Sequence, residues 1–334
     1  MMMMDPSKST ALLLIAANEI LVRFVFNIAP QTPSDAAQNS GDPATDVLMN
    51  HEIVPEEKRT ESLNVTSLTS FPSSHLTFCD GHSVLWQFTM STSQPQTDLE
   101  LNPELCKVFK HVEDSFKNTK LGNDRWYILA IACLAASPDP EAAKELYLYL
   151  IRKPEYEKPE VRQALVRRLR EALVKSVPLV GVCKPLEAIL AINEVERPED
   201  QDLSCTREGW KADETNHERA LDWFRKVYTR NANDTIGLFD AHKDFAWIST
   251  EITYGLYLSD RQILDDIETQ LVVLPGIMSQ NLRTETHWHI RGTRRIGVSK
   301  NDVQVIWDAV QAISAFYEVK LTRVPTVDEV EPDV

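Results

Sequence analysis

Glycine is scarce in this chain. Ten glycines in 334 residues, against 43% hydrophobic residues, argue against a fold made of many tight turns. Turn-rich β architectures need glycine at their left-handed corners, so the scarcity predicts long helices. Lys/Arg-rich runs interleaved with aromatics are missing too, and the formal net charge is −15. A phosphate backbone repels a chain of that sign, so no nucleic acid partner is expected. There is no Cys-x-x-Cys: Cys79, Cys106, Cys133, Cys183 and Cys205 are widely spaced and odd in number. That pattern excludes a disulfide framework and a structural zinc site, and it fits a reducing, cytoplasmic location. No apolar run reaches membrane-spanning length. Residues 11–29 come nearest, but Glu19 and Arg23 interrupt them and no basic n-region precedes them. Neither a transmembrane helix, and hence no membrane partner, nor a signal peptide is therefore expected.

What remains is a long helical chain behind a polar leader. Residues 30–100 are rich in Ser, Thr, Pro, Asp and Gln without sustained periodicity, so residues 1–100 read as a mostly disordered extension. The folded body is expected to span 101–320, with 321–334 a frayed acidic tail. Helices are predicted over Pro103–Phe116, Arg125–Ala136, Pro140–Ile151 and Pro159–Lys175. The last has Val161, Leu165, Leu169 and Leu173 inward and Arg162 outward, and Val177-Pro178 breaks it. Further helices follow over Pro185–Val195, Asp213–Tyr228 and Thr235–Leu258. Asp260 caps one running to Met278, and the last runs from Ser299 to Val319. The inner face of 235–258 is expected to carry Asp244, Trp247, Ile248, Glu251, Tyr254 and Gly255.

Most of the chemistry lies in Glu285-Thr-His-Trp-His289-Ile-Arg291 and its continuation to Ser299. On a helix, Leu282, Glu285, His289, Gly292 and Ile296 share one face, while His287, Arg291 and Arg295 share another. Glu285 and His289 are one turn apart. A carboxylate beside an imidazole raises its pKa toward neutrality, which suits an acid/base pair. The same spacing equally suits a core histidine with an ordinary i, i+4 partner. His-x-His on a helix points its two rings apart, so no metal is expected there.

Glu-x-x-x-His-x-Arg, followed by Gly-Val-Ser and a helix opening Ser299-Lys-Asn-Asp302, resembles the carboxymuconolactone decarboxylase family and the related alkylhydroperoxidase D-like proteins. Trp247-Ile-Ser-Thr-Glu251-Ile-Thr-Tyr254-Gly255 extends the likeness, which covers 232–317 and, weakly, 123–195. The resemblance implies an all-α, alkylhydroperoxidase D-like domain. Two duplicated helical halves are suggested by an echo between Leu169–Ile192 and Ile267–His289. It also implies a homo-oligomer, a small-molecule substrate and no cofactor. Carried over residue by residue, it makes His289, Glu285 and Glu251 catalytic. Arg291, Trp247, Tyr254 and Gln270 would bind substrate, Gln270 standing where the family has a relay glutamate. The thiol positions of the peroxidase branch are Leu282 and Glu285 here. The expected activity is thus a cofactor-free decarboxylase-like or proton-transfer enzyme: decarboxylation, isomerisation or dehydration of a small acidic or polyketide-like metabolite. Proteins of this look are common beside fungal secondary-metabolite genes. Peroxide detoxification and a non-catalytic oligomeric helical scaffold are the alternative readings.

Overall fold

The computed structural model describes residues 99–334, so the extension read from the sequence lies outside the described residues except for its last two positions. All the regular elements in 99–334 are helical. Helix α1 spans Pro103–Phe116. The Asn102 side chain accepts from the amides of Glu104 and Leu105 at its start, and Pro103 occupies its first position. Its buried residues, Leu105, Phe109, Val112 and Phe116, form one stripe. Helix α2, Trp126–Ala136, has no polar face, and all eleven of its residues are buried. A helix apolar all round must be enclosed by neighbours. Here it packs against α4 (Pro159–Val180), α9 (Asp266–Met278) and α11 (Lys300–Phe316). Helices α3 (Ala143–Ile151) and α5 (Cys183–Val195) close the same core from outside.

Two polar anchors tie this core to its connections. Arg162, expected to face outward, is 5% exposed. Its Nε donates to Asp200 at 2.7 Å and its Nη1 to the carbonyls of Tyr156 and Glu157, while Tyr147 donates to the same carboxylate at 2.9 Å. Val161, expected inside, is the exposed neighbour. Lys175 is fully buried and donates to the carbonyls of Leu258 and Asp260, which holds that loop against α4. Helix α4 also runs through Pro178 instead of breaking there. Pro178 forgoes one i→i−4 bond near the end of the helix, and Gly181, at φ 83°, ends it.

A second, smaller core forms around α6 (Glu214–Tyr228). The single helix expected over 235–258 is three pieces: α7 (Ala232–Gly237), α8 (Lys243–Trp247) and a π-helix over Ile248–Tyr257. The wider π turn changes which residues share a face. Tyr254 and Gly255 turn inward, whereas Asp244, Trp247 and Ile248 are exposed, Trp247 at 55%. Asp265, and not Asp260, caps α9, in a capping box with Glu268. Ser299 caps α11 as expected. Helix α10, Arg283–Arg295, lies against α6 and α9. Close approach fixes that packing. A Cβ on Gly292 would sit 2.5 Å from Val227 Cγ1, and one on Gly255 would run into the Asn216 amide.

The tail does not fray. Helix α12, Val327–Val330, buries both of its valines completely, and Arg294 grips Glu331 with two hydrogen bonds of 2.9 and 2.8 Å. Among the described residues, no helix is long and apolar enough to cross a membrane.

Candidate functional site

Helix α10 carries two faces, as its spacing predicts, but the structure assigns them different work. His289 is 6% exposed and lies against the ring of Tyr228, with centroids 6.2 Å apart. Tyr254 donates to the Tyr228 hydroxyl at 3.0 Å, and Phe224 stacks on Tyr228, so the histidine closes an aromatic cluster. Burial pushes the Tyr228 phenol up to about 12; burial, with the nearby Arg291 adding to it, brings the His289 imidazole down to about 4. His289 is therefore neutral near pH 7. Its Nδ1 is buried without a hydrogen-bond partner among the described residues.

The acid/base pair expected here is not formed. Glu285 is exposed and makes no hydrogen bond or ion pair with His289. Glu251 has a different histidine: its Oε1 lies 2.5 Å from His217 Nδ1, and Asn216 Nδ2 donates to its Oε2 at 3.3 Å. The π-helix sets Glu251 against α6. Trp247, offered for substrate binding, projects into solvent. Tyr254 and Gln270 do stand near the His289 helix. Gln270 is 1% exposed, its Oε1 accepts from Thr293, and its Nε2 has no partner among the described residues.

The other face, His287, Arg291 and Arg295, gathers positive charge. Of the two buried arginines among the described residues, Arg162 is fully bonded, whereas Arg291, 8% exposed, has no hydrogen bond and no ion pair. Arg295 donates to the Tyr228 carbonyl at 2.7 Å, to Asn231 Oδ1 at 2.9 Å and to the Asp333 carbonyl at 3.0 Å. Arg230 reaches the same carbonyl at 3.1 Å. His287 Nε2 lies 2.9 Å from Asp333 Oδ2. Thr229 precedes Arg230 with φ at 46°, a strained value for a β-branched residue, and this turn directs Arg230 to the cluster. Arg295 and His287 were legible as one helical stripe. Tyr228, Arg230 and Asp333 were not, because only the tertiary fold brings them to that stripe. His287 also lines an open hollow of about 320 Å³ with Arg283, Thr284, Trp288, Pro325 and Glu329. Among the described residues, no cluster of three or more His, Cys, Asp or Glu side chains is arranged to hold a metal ion.

The chain is similar to two yeast proteins of one name. Peroxisomal protein 2 of Schizosaccharomyces pombe is 25% identical over 43% of this chain and 67% of its own length. Peroxisomal protein 2 of Saccharomyces cerevisiae is 21% identical over 54% of this chain and 84% of its own. No family model matches the chain, and no solved structure matches it.

These findings correct the expectations drawn from the Glu-x-x-x-His-x-Arg motif. The relatives are peroxisomal proteins, not carboxymuconolactone decarboxylases or alkylhydroperoxidase D-like proteins, and their name points away from the cytoplasm. The decarboxylase-type, proton-transfer and peroxide-detoxifying activities, and the secondary-metabolite setting, rested on that resemblance and fall with it. The geometry gives a physical reason as well. A histidine held near pKa 4, with Glu285 in solvent and Glu251 bound elsewhere, lacks the carboxylate partner that the motif requires. The all-α architecture read from composition and periodicity stands independently of it.

Proposed function

We propose that this is a peroxisomal protein that binds a small molecule on helix α10, beside His289 and Arg291. The compartment is supported by the name shared by the two yeast relatives. The binding role is carried by one observation: Arg291 is 8% exposed, its buried Nε has no hydrogen-bond partner, and its side chain makes no hydrogen bond or ion pair among the described residues. A buried donor left without a partner costs roughly 1–3 kcal/mol. A fold retains such a group at a binding centre because the ligand completes it. Neutral His289 adds an unsatisfied hydrogen-bonding edge, and Tyr228 and Tyr254 supply an aromatic wall.

Two measurements test this reading. The full chain, tagged at either end, is expressed in fission yeast and compared with a peroxisomal marker. Coincident signal is expected, and diffuse cytosolic signal from both tagged forms sinks the compartment. The purified full chain is also melted with the low-molecular-weight fraction of isolated peroxisomes. A rise in Tm that is lost in His289→Ala is expected, since ligands stabilise the state they bind. An equal rise in both proteins, or none in either, removes the site.

A further inference from the structure

The basic face of α10 suggests what kind of ligand belongs there. Burial lowers the pKa of Arg291 and Arg295; Arg230 lowers both further and Arg291 lowers that of Arg295, while the Asp333 charge works the other way on each. Among the described residues none has an ion pair with an acidic side chain within 4 Å, though Arg230 also donates to the carbonyl oxygen of Val334 at 3.3 Å; the chain as a whole carries 50 acidic residues against 35 basic ones and has a net charge of −15. Other partly or fully buried arginines are handled differently: Arg162 binds Asp200, Arg168 binds Glu268, and Arg207 binds Glu171. Three clustered guanidinium groups with no acidic side chain bonded to them, one of which, Arg291, makes no side-chain hydrogen bond among the described residues, are an arrangement that can receive an external oxyanion.

One carboxylate already approaches this seat. Asp333 bonds His287 through its side chain and accepts from Arg230 and Arg295 through its backbone carbonyl. It is delivered there by α12, fastened through Val327, Val330 and the Arg294–Glu331 pair. The Asp333 side chain is 56% exposed, and its carboxylate is not hydrogen-bonded to any of the three arginines. It touches the rim of the cluster and leaves Arg291 open. An exposed pair of this kind is weak and easily displaced.

We propose that Arg230, Arg291 and Arg295, with His287 at the edge, form a binding site for the oxyanion group of a small molecule, a phosphate or a dicarboxylate, and that Asp333 is its internal competitor. This rests on the small-molecule reading above and names the ligand's chemical class. Planar guanidinium groups bind both phosphate and carboxylate through paired N–H donors, and the buried Nε of Arg291 has no partner among the described residues. The hollow beside His287 leaves room for the rest of the molecule.

The test titrates inorganic phosphate and succinate separately into the full chain by calorimetry at low ionic strength. Saturable binding of at least one is expected. Arg291→Gln is expected to weaken it by about ten- to a hundredfold, the value of a charge-assisted hydrogen bond. Arg230→Gln, at an exposed position that does not endanger the fold, is expected to weaken it severalfold. Asp333→Asn is expected to tighten it by roughly two- to fivefold, since an exposed competing charge is removed. Phosphate preferred over succinate identifies a phosphorylated ligand; the reverse identifies a carboxylate. The site is overturned if neither anion binds the wild-type chain or Asp333→Asn, or if folded Arg291→Gln and Arg230→Gln both bind as the wild type does. Unchanged affinity in Asp333→Asn overturns the competitor role. Failure here, together with a Tm rise in peroxisomal extract that His289→Ala abolishes, leaves the small-molecule site standing with an uncharged ligand. Failure of both removes the site altogether.

Discussion

His289 shows how strongly one environment rewrites one residue. In the sequence it stands four positions after a glutamate, the spacing that raises a histidine pKa. In the fold the glutamate is in solvent and the imidazole is enclosed by aromatics beside a guanidinium, so its pKa falls to about 4. The unfolded chain, with an ordinary histidine near 6.5, takes up its proton first as pH drops. Stability from this group is therefore complete above about pH 6.5 and is lost as pH falls toward 4, by about 3 kcal/mol at one pKa unit per 1.4 kcal/mol. Partly buried Glu196, raised to about 7 by burial, opposes it over part of that window. The comparison of wild type with His289→Gln isolates the histidine: urea unfolding between pH 4 and 7 should give a shallower pH dependence in the variant. Equal slopes would mean that His289 is not enclosed as described. Arg162 behaves in the opposite way, as a buried charge fully satisfied by Asp200 and two carbonyls. Arg162→Ala should cost about 3–5 kcal/mol in urea unfolding, because Asp200 is left buried and unpaired. A cost below 1 kcal/mol would mean that the pair is dispensable.

At the level of elements, the contact of α6 with α10 decides where the candidate residues stand. Gly292 makes it possible, since a methyl there would meet Val227 Cγ1. Gly292→Ala should destabilise the protein by about 1–3 kcal/mol, the usual cost of overpacking. Val227→Ala should recover part of that loss, and a double-mutant cycle on Tm or urea midpoint measures the coupling. Additive effects would show that the two helices are not in contact there. Most helices were legible because their signals are local. Pro103, Ser299 and the all-apolar run of α2 each act within a turn of their own position. The 235–258 stretch was not legible. Apolar spacing assumes 3.6 residues per turn, and the π-helix from Ile248 to Tyr257 abandons that period. The stretch also breaks between Gly237 and Lys243, so the faces of Trp247, Ile248 and Glu251 could not be phased from one continuous helix.

At the scale of the whole molecule, the C-terminal segment is the element whose role the sequence conceals most. Residues 322–334 are acidic and contain proline, which reads as a loose end. Yet Val327 and Val330 are fully buried, and the segment lies on α10 and α11. Val330→Asp should release it. Limited proteolysis should then cut after Arg323 several times faster than in wild type, with the helical signal in circular dichroism nearly unchanged. Global unfolding of the variant, or no change in cleavage, would contradict a locally docked segment.

Composition and periodicity were enough to determine an all-α protein with α2 at its centre, because helix formation and burial of an apolar stripe are decided by neighbours along the chain. They also put His287, Arg291 and Arg295 on one stripe, since that is a property of a helix alone. Which partners meet those stripes was settled only in three dimensions. Glu251 paired with His217, Arg230 arrived from the strained turn at Thr229, and Asp333 was carried in by two buried valines. Those contacts join residues separated by tens of positions to more than a hundred. Their energies depend on how whole helices pack, which no local pattern of residues encodes.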